Sequence, residues 1–363
     1  MRRVPFYPLL ITVLVSLGGY LGCDPHQVEQ QVEDHLGHVV EQAAQNSGLL
    51  PGGVQPGGAQ PGLPVSTSRG PTPIATQVVA MPARSATTLI IGSFNMQRLG
   101  PSKLADRTVM EYYADIIRRF DVIALQEITS SDPNTLSALM QYVNANGSRY
   151  SYTISPQIGR TSKYVEQYAY VFDTTRVVTR QDACFVVGDQ QDLLHREPFV
   201  GRFATQGSVR NPFSFALINI HTDPDEVSTE LNTLANVYMS VSDFFLRPVA
   251  GDYPEDDVIL LGDLNADPSR FQLLGQVPNL VATIVGIPTN YTRSKTNDNI
   301  LVNRMMTREF TGRSGALDLQ TLYKLSQDGA KRISDHQPVW AEFYLQEATG
   351  NEIAAQPSYG YVR

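Results

Sequence analysis

Five apolar stretches of this chain each run directly into side chains able to hold a cation or move a proton. They are Phe94-Asn95, Leu125-Gln126-Glu127, Ile220-His221, Leu261-Gly262-Asp263-Leu264-Asn265, and Ser334-Asp335-His336 just before a last apolar run. A buried strand that ends in carboxylate, amide or imidazole places that group at the rim of the core, and several such rims converging make a cleft. The oxygen donors Asn95, Glu127, Asp263, Asn265 and Asp335 are hard ligands, suited to magnesium, manganese or calcium. Only two cysteines occur, Cys23 and Cys184, which excludes a thiolate zinc cluster and a disulfide-stapled scaffold. Among the histidines, His221 precedes Asp223 by two and His336 follows Asp335 directly. A lone histidine reads as a satisfied interior group. Two at strand ends beside acids read as general acid/base groups working near neutral pH.

The elements that must position these groups follow from hydrophobic spacing. Period and length predict strands at 89–94, 121–126, 168–172, 213–220, 258–261 and 339–344, and helices at 104–120 and 226–246. Many strands with few helices between them imply sheets packed on each other with helices outside. Hydrophobic residues at 42% supply a sizeable core, and a net charge of −8 excludes a broad basic face.

The N-terminal part reads differently. Met1-Arg2-Arg3 and the short apolar run from Pro8 to Gly22 form an export signal, too short for a ~30 Å bilayer core. The ending Tyr20-Leu21-Gly22-Cys23 resembles a bacterial lipobox, with Cys23 lipidated as the mature N-terminus. Ordinary secretion with a chance cysteine is the alternative, and in both cases the protein leaves the cytoplasm. Residues 24–87 hold the echo Pro51-Gly-Gly-Val-Gln, Pro56-Gly-Gly-Ala-Gln, and read as a disordered stalk. As a flexible coil, residues 46–87 span ~35 Å r.m.s.. The expected organisation is thus a signal peptide at 1–23, a stalk at 24–87, one catalytic domain at 88–347 and a tail at 348–363.

Four blocks in order carry a family resemblance: Ser93-Phe-Asn-Met, Ala124-Leu-Gln-Glu-Ile, Gly262-Asp-Leu-Asn-Ala-Asp and Ser334-Asp-His-Gln-Pro-Val. They resemble the signatures of the endonuclease/exonuclease/phosphatase superfamily, and within it deoxyribonuclease I. Gly159-Arg160 followed by Tyr164, Glu166 and Tyr168, the run His195-Arg196-Glu197-Pro198, and Asp298-Asn299-Ile300 are similar to further blocks of that enzyme. The resemblance implies an α/β four-layer sandwich, two packed mixed sheets flanked by helices, and hydrolysis of a phosphodiester. It implies His221 oriented by Glu166 and His336 oriented by Asp298 as the two proton-transfer groups. It implies a divalent cation, Mg²⁺ or Mn²⁺, on Glu127 with Asn95, Asp263, Asn265 and Asp335 around it. Tyr164 and Arg196 would touch phosphate oxygens; outside that context they read as a packed aromatic and a surface ion pair. Asp192 and Glu197 fall where the family has a structural Ca²⁺, and read equally as part of a solvated acidic loop.

The chain also departs from deoxyribonuclease I. Gln97, Thr129 and Asn299 stand where that enzyme has arginines, Arg98 lies next to the first of them, and neither family disulfide can form. The chemistry therefore transfers more safely than the grip on DNA. The expected protein is an exported, metal-dependent, monomeric endonuclease with DNA as substrate and the membrane reached through Cys23. The alternatives are a phosphodiesterase or phosphatase acting on phospholipid or inositol phosphate head groups, and a binding module without catalysis.

Overall fold

Strand β1 (Thr88–Leu99) is apolar on consecutive residues because both of its faces are covered. Leu89 and Ile91 point into the core between two sheets, while Ile90 and Phe94 face a layer of helices. The computed structural model describes residues 80–161, 164–207, 210–247 and 253–348. The signal segment, Cys23, most of the stalk and nearly all of the tail lie outside the described residues.

After β1 come α1 (Pro101–Leu104), α2 (Arg107–Ile117), β2 (Val122–Ile128), α3 (Thr135–Asn144), β3 (Tyr150–Ile154) and β4 (Gln167–Asp173). The middle of the chain forms β5 (Val177–Val186), β6 (Phe199–Thr205), β7 (Ser214–His221), the long helix α4 (Val227–Leu246) and β8 (Val258–Asp263). The last part holds β9 (Leu280–Ala282), β10 (Asp298–Asn303), β11 (Phe310–Ala316), α5 (Leu319–Tyr323), α6 (Gln327–Ile333) and β12 (Val339–Tyr344).

Two six-stranded sheets result, ordered β11-β12-β1-β2-β4-β3 and β5-β6-β7-β8-β10-β9. Each is mixed, with one parallel pair, β1 with β2 and β7 with β8, amid antiparallel neighbours. The core between the sheets includes Tyr168, Tyr170, Phe203, Phe215, Leu217, Leu261 and Phe343. Apolar faces of α2, α3 and α6 cover the first sheet, and the Tyr238 hydroxyl of α4 donates to Val258 O on β8 of the second. The expected four-layer sandwich is the observed one.

One expectation is corrected. The predicted helix 104–120 is broken at Ala105–Asp106, because the Asp106 carboxylate accepts from the Thr108 and Val109 amides and caps a fresh helix there. Contacts also run from before residue 88 to the sheet: Arg84 donates to Asp121 (2.7 Å) and pairs with Asp173. The fully buried Asp121 is held by Arg176 Nε (2.7 Å) and Ile90 N as well.

Candidate active site

Register brings the predicted groups together. In the second sheet His221 on β7 lies opposite Asp263 on β8, and Asp298 on β10 lies opposite Asp263 from the other side. In the first sheet Asn95 on β1 pairs with Gln126 on β2, which sets Glu127 one residue beyond. Gly262 makes the β7–β8 approach feasible: its φ is 148°, and a Cβ there would sit 1.8 Å from Ile220 O. Glu127 and Asn265 hold left-handed backbone, φ 59° and 48°, at the points where their strands end. For a non-glycine residue that conformation costs about 1 kcal/mol or more, and it is found where side chains are aimed at a site.

Two carboxylate–imidazole pairs face one another across Asp263. Glu166 Oε1 lies 3.0 Å from His221 Nδ1, and Asp298 Oδ2 lies 2.9 Å from His336 Nδ1. Each carboxylate fixes its ring so that Nε2 turns inward, and both Nε2 atoms sit 3.5 Å from Asp263 Oδ2. The two nitrogens are therefore no more than twice that distance apart, a gap on the scale of one phosphoryl group. Burial alone would lower both histidines; Glu166 raises His221, and Asp298 with Asp263 raises His336 well above the usual imidazole value. Burial likewise pushes Asp298 up to about 6, whereas the two imidazoles hold Asp263 below the ordinary carboxylate range.

The oxygen donors lie on the same side. Asn95 Nδ2 donates to Glu127 Oε1 (2.9 Å) and Asp263 Oδ2 (3.0 Å), bridging two carboxylates with one amide. Asn265 donates from its backbone to Asp263 Oδ1 and from Nδ2 to Thr222 O. Asp335 Oδ1 is 3.9 Å from His336 Nε2, and both Asp335 and Glu127 are part-exposed. This carboxylate and amide set, without a thiolate, is of the type a hard divalent cation takes, with the part-exposed Glu127 and Asp335 each 3.9 Å from one of the two Nε2 atoms. Such an ion, when bound, neutralises charge on phosphate oxygens. Asp263, 1% exposed, lies between the two imidazoles and, with Asp298 and His336, forms a group of side chains able to hold an ion.

Other predicted residues are placed differently. Arg196, expected at a phosphate, is buried; Nε donates to His221 O and Nη2 to Thr222 O (both 3.1 Å), and Nε lies 3.5 Å from Glu166. Its guanidinium thus braces the Glu166–His221 pair from behind. Tyr164 is exposed, its ring edge-on to His195. Asp192 is exposed and accepts from Arg160 Nε (3.0 Å), while Glu197 is half-buried; the three-residue acidic groups found among the described residues include neither.

Comparison with known proteins bears on the same residues. The family model described as "Endonuclease/Exonuclease/phosphatase family" matches residues 92–336. The chain is 33% identical over 271 residues to deoxyribonuclease-1-like 1 of Chlorocebus aethiops, covering 71% of this chain and 85% of that one. Against the Homo sapiens deoxyribonuclease-1-like 1 it is 32% identical, covering 73% and 88%. Against the deoxyribonuclease-1 of Bos taurus it is 28% identical, covering 69% and 91%. The chain belongs to the endonuclease/exonuclease/phosphatase family. Membership makes it a phosphodiesterase-type hydrolase in a family that is generally dependent on divalent metal.

Within this family member, three further residues support the site: Lys103, which lies outside every motif, and Ser334 and Tyr168, which lie inside motif blocks but had no role assigned. Lys103 Nζ donates to Met96 O and Ile333 O (both 2.7 Å) and to the Tyr113 hydroxyl (2.8 Å), tying the segment after Asn95 to the one before Asp335. Burial brings its ammonium down to about 8 despite the nearby Asp335 and Glu127 carboxylates. Ser334 Oγ donates to Asn95 O and accepts from His336 N, closing the same junction. The Tyr168 hydroxyl accepts from His221 N (2.9 Å), crossing from the first sheet to the second. Lys103 carried no signal beyond a charged residue on a short helix.

Proposed function

We propose that this protein is an exported endonuclease that hydrolyses DNA phosphodiester bonds with Mg²⁺ or Mn²⁺ bound at Glu127, tethered to a membrane by lipid on Cys23. The reading is carried by the two carboxylate–imidazole pairs converging on Asp263 Oδ2 at 3.5 Å each. One Nε2 takes the proton of the attacking water and the other delivers a proton to the leaving 3′ oxygen, so a phosphate between them is served at both ends. The deoxyribonuclease names of the relatives support DNA as substrate. The grip is the weaker part. Gln97 and Thr129 stand in for arginines, Asn299 is buried and bonded to Ile284, and the exposed Arg98 stands next to Gln97 in the chain.

The deciding experiment incubates the protein with supercoiled plasmid and, in parallel, with sphingomyelin vesicles and inositol phosphates, in Mg²⁺ with and without excess EDTA. Nicking of the plasmid is expected, abolished by EDTA and by His221→Ala or His336→Ala. Turnover of lipid or inositol phosphate with intact plasmid would shift the substrate class, and no turnover with metal bound would favour a binding module. Palmitate labelling of the wild type but not of Cys23→Ser tests the anchor.

A further inference from the structure

At the other end of β8 from Asp263 lies a second concentration of carboxylates that the site above does not use. Asp257 immediately precedes the strand, about 20 Å along the chain direction from Asp263 at ~3.3 Å per residue. Around it gather Glu309, at the entry to β11, and Glu347, beyond the end of β12. Each of the three offers an oxygen within 4.8 Å of the others. That closeness is compatible with one ion, since two ligands on opposite sides of a calcium at ~2.4 Å lie at most about 4.8 Å apart.

The local bonding separates these three from an ordinary acidic cluster. Asp257 is 1% exposed and Glu309 2% exposed, and among the described residues neither Asp257 Oδ1 nor Glu309 Oε2 has a hydrogen-bond partner. The neighbouring acid, Glu255, differs in having a cation beside it: Oε1 accepts from Asp257 N, and Oε2, though without a hydrogen bond among the described residues, lies 3.6 Å from Arg202 Nε. Glu309 Oε1 accepts from Ala348 N, and Glu347 Oε1 accepts from Ser214 N, which aligns the two side chains toward one another and toward Asp257. Buried carboxylate oxygens with no donor are costly to the fold, by several kcal/mol for an unpaired charge. Without a cation the cluster must hold protons instead, and burial with the adjoining carboxylates pushes Asp257 up to about 10.

We propose that Asp257, Glu309 and Glu347 bind a structural divalent cation, calcium by ligand type, at the end of the sandwich remote from the proton-transfer pairs. Glu347 is half-buried and gives the ion a path in, and the three acids are anionic oxygen donors with no sulfur or imidazole. The ion joins the start of β8, the β10–β11 connection and the segment after β12. Through Glu347 it also reaches Ser214 at the start of β7. It thus fixes the far ends of the two strands whose near ends carry His221 and Asp263. The site is independent of which phosphodiester is cut.

The test uses the full chain. Equilibrium dialysis against Ca²⁺ is expected to show one more bound ion in the wild type than in the Asp257→Asn/Glu347→Gln double variant. Ca²⁺ at a hundredfold excess over Kd is expected to raise the melting temperature by about 5 °C in the wild type and equally in Glu127→Gln, but not in the double variant. Should the double variant fail to fold, hydrogen exchange on the wild type decides: Ca²⁺ should slow exchange of the Ser214 and Ala348 amides. Equal stoichiometry in the two proteins, or amides at 214 and 348 indifferent to Ca²⁺, would overturn the proposal and leave a proton-sharing carboxyl cluster.

Discussion

The single most consequential side chain outside the motifs is Lys103. Its ammonium satisfies Met96 O, Ile333 O and the Tyr113 hydroxyl at once, and it lies beneath the Glu127 and Asp335 carboxylates. Lys103→Met removes that donor and leaves the single hydroxyl proton of Tyr113 to serve both Met96 O and Ile333 O, so one buried carbonyl goes short. It is expected to lower stability by about 2 kcal/mol, read in urea melts. It should also reduce kcat about tenfold or more, because the segments carrying Asn95 and Asp335 lose their tie. The Asp298–His336 pair supports a second expectation. Both groups hold a proton more tightly in the folded chain than in the unfolded one. Their contribution is therefore complete below the unfolded values and is lost as pH rises through the folded ones. In chelator, the melting temperature should fall as pH rises above 6.5, and His336→Gln should flatten that decline. A wild-type curve that rises over the same range would refute the pairing as drawn.

Among the elements, the β7–β8 pair decides whether a site forms. It is a parallel pair at the centre of its sheet, and it sets His221 beside Asp263. The close approach exists because residue 262 has no side chain: a Cβ there would overlap Ile220 O and meet Ile220 N at 3.1 Å, all backbone. Gly262→Ala must push the strands apart or shift their register, at a cost of about 2–4 kcal/mol from combined strain and overpacking. Activity should fall further than stability accounts for, since the geometry lost is that between His221 and Asp263. Thermal melts alongside plasmid nicking on the same preparation separate the two effects. Loss of stability with the turnover of the folded fraction unchanged would show that this approach does not position the site.

For the whole molecule, the folded unit is larger than its motifs. Arg84 reaches Asp121, Asp173 and the Tyr150 hydroxyl, joining the segment before β1 to the ends of β2, β3 and β4. A chain of residues 80–348 is expected to match the full chain in melting temperature and in activity per molecule. One beginning at residue 89 leaves the buried Asp121 with Arg176 as its remaining guanidinium and should be about 1 kcal/mol less stable, with Arg84→Met losing a similar amount. Equal melting temperatures for the two chains would show the arginine to be dispensable. Among the described residues no helix is long and apolar enough to cross a membrane.

What the residue order determined by itself was the family and the set of groups available to it. Apolar runs ending in Asn95, Glu127, His221, Asp263 and His336 are local facts, and four motifs in order are enough to name a fold whose layers the structure then displays. The central strands were legible because both faces are buried and their apolar runs are continuous. Strands β3, β5, β6, β9, β10 and β11 have no matching prediction: β3 and β9 are short, β5 and β11 lie at sheet edges, β6 is interrupted by Gly201 and Arg202, and the apolar run of β10 is only Ile300-Leu301-Val302. Tertiary structure alone decided the direction in which each polar group points. Arg196 turns inward to backbone carbonyls, Asn299 closes a loop, and Lys103 reaches across to Ile333, 230 residues away. Asp257, Glu309 and Glu347 meet for the same reason. Hydrophobic period places a residue on a face, but its hydrogen-bond partners come from segments distant in the chain, and only packing of the two sheets sets those distances.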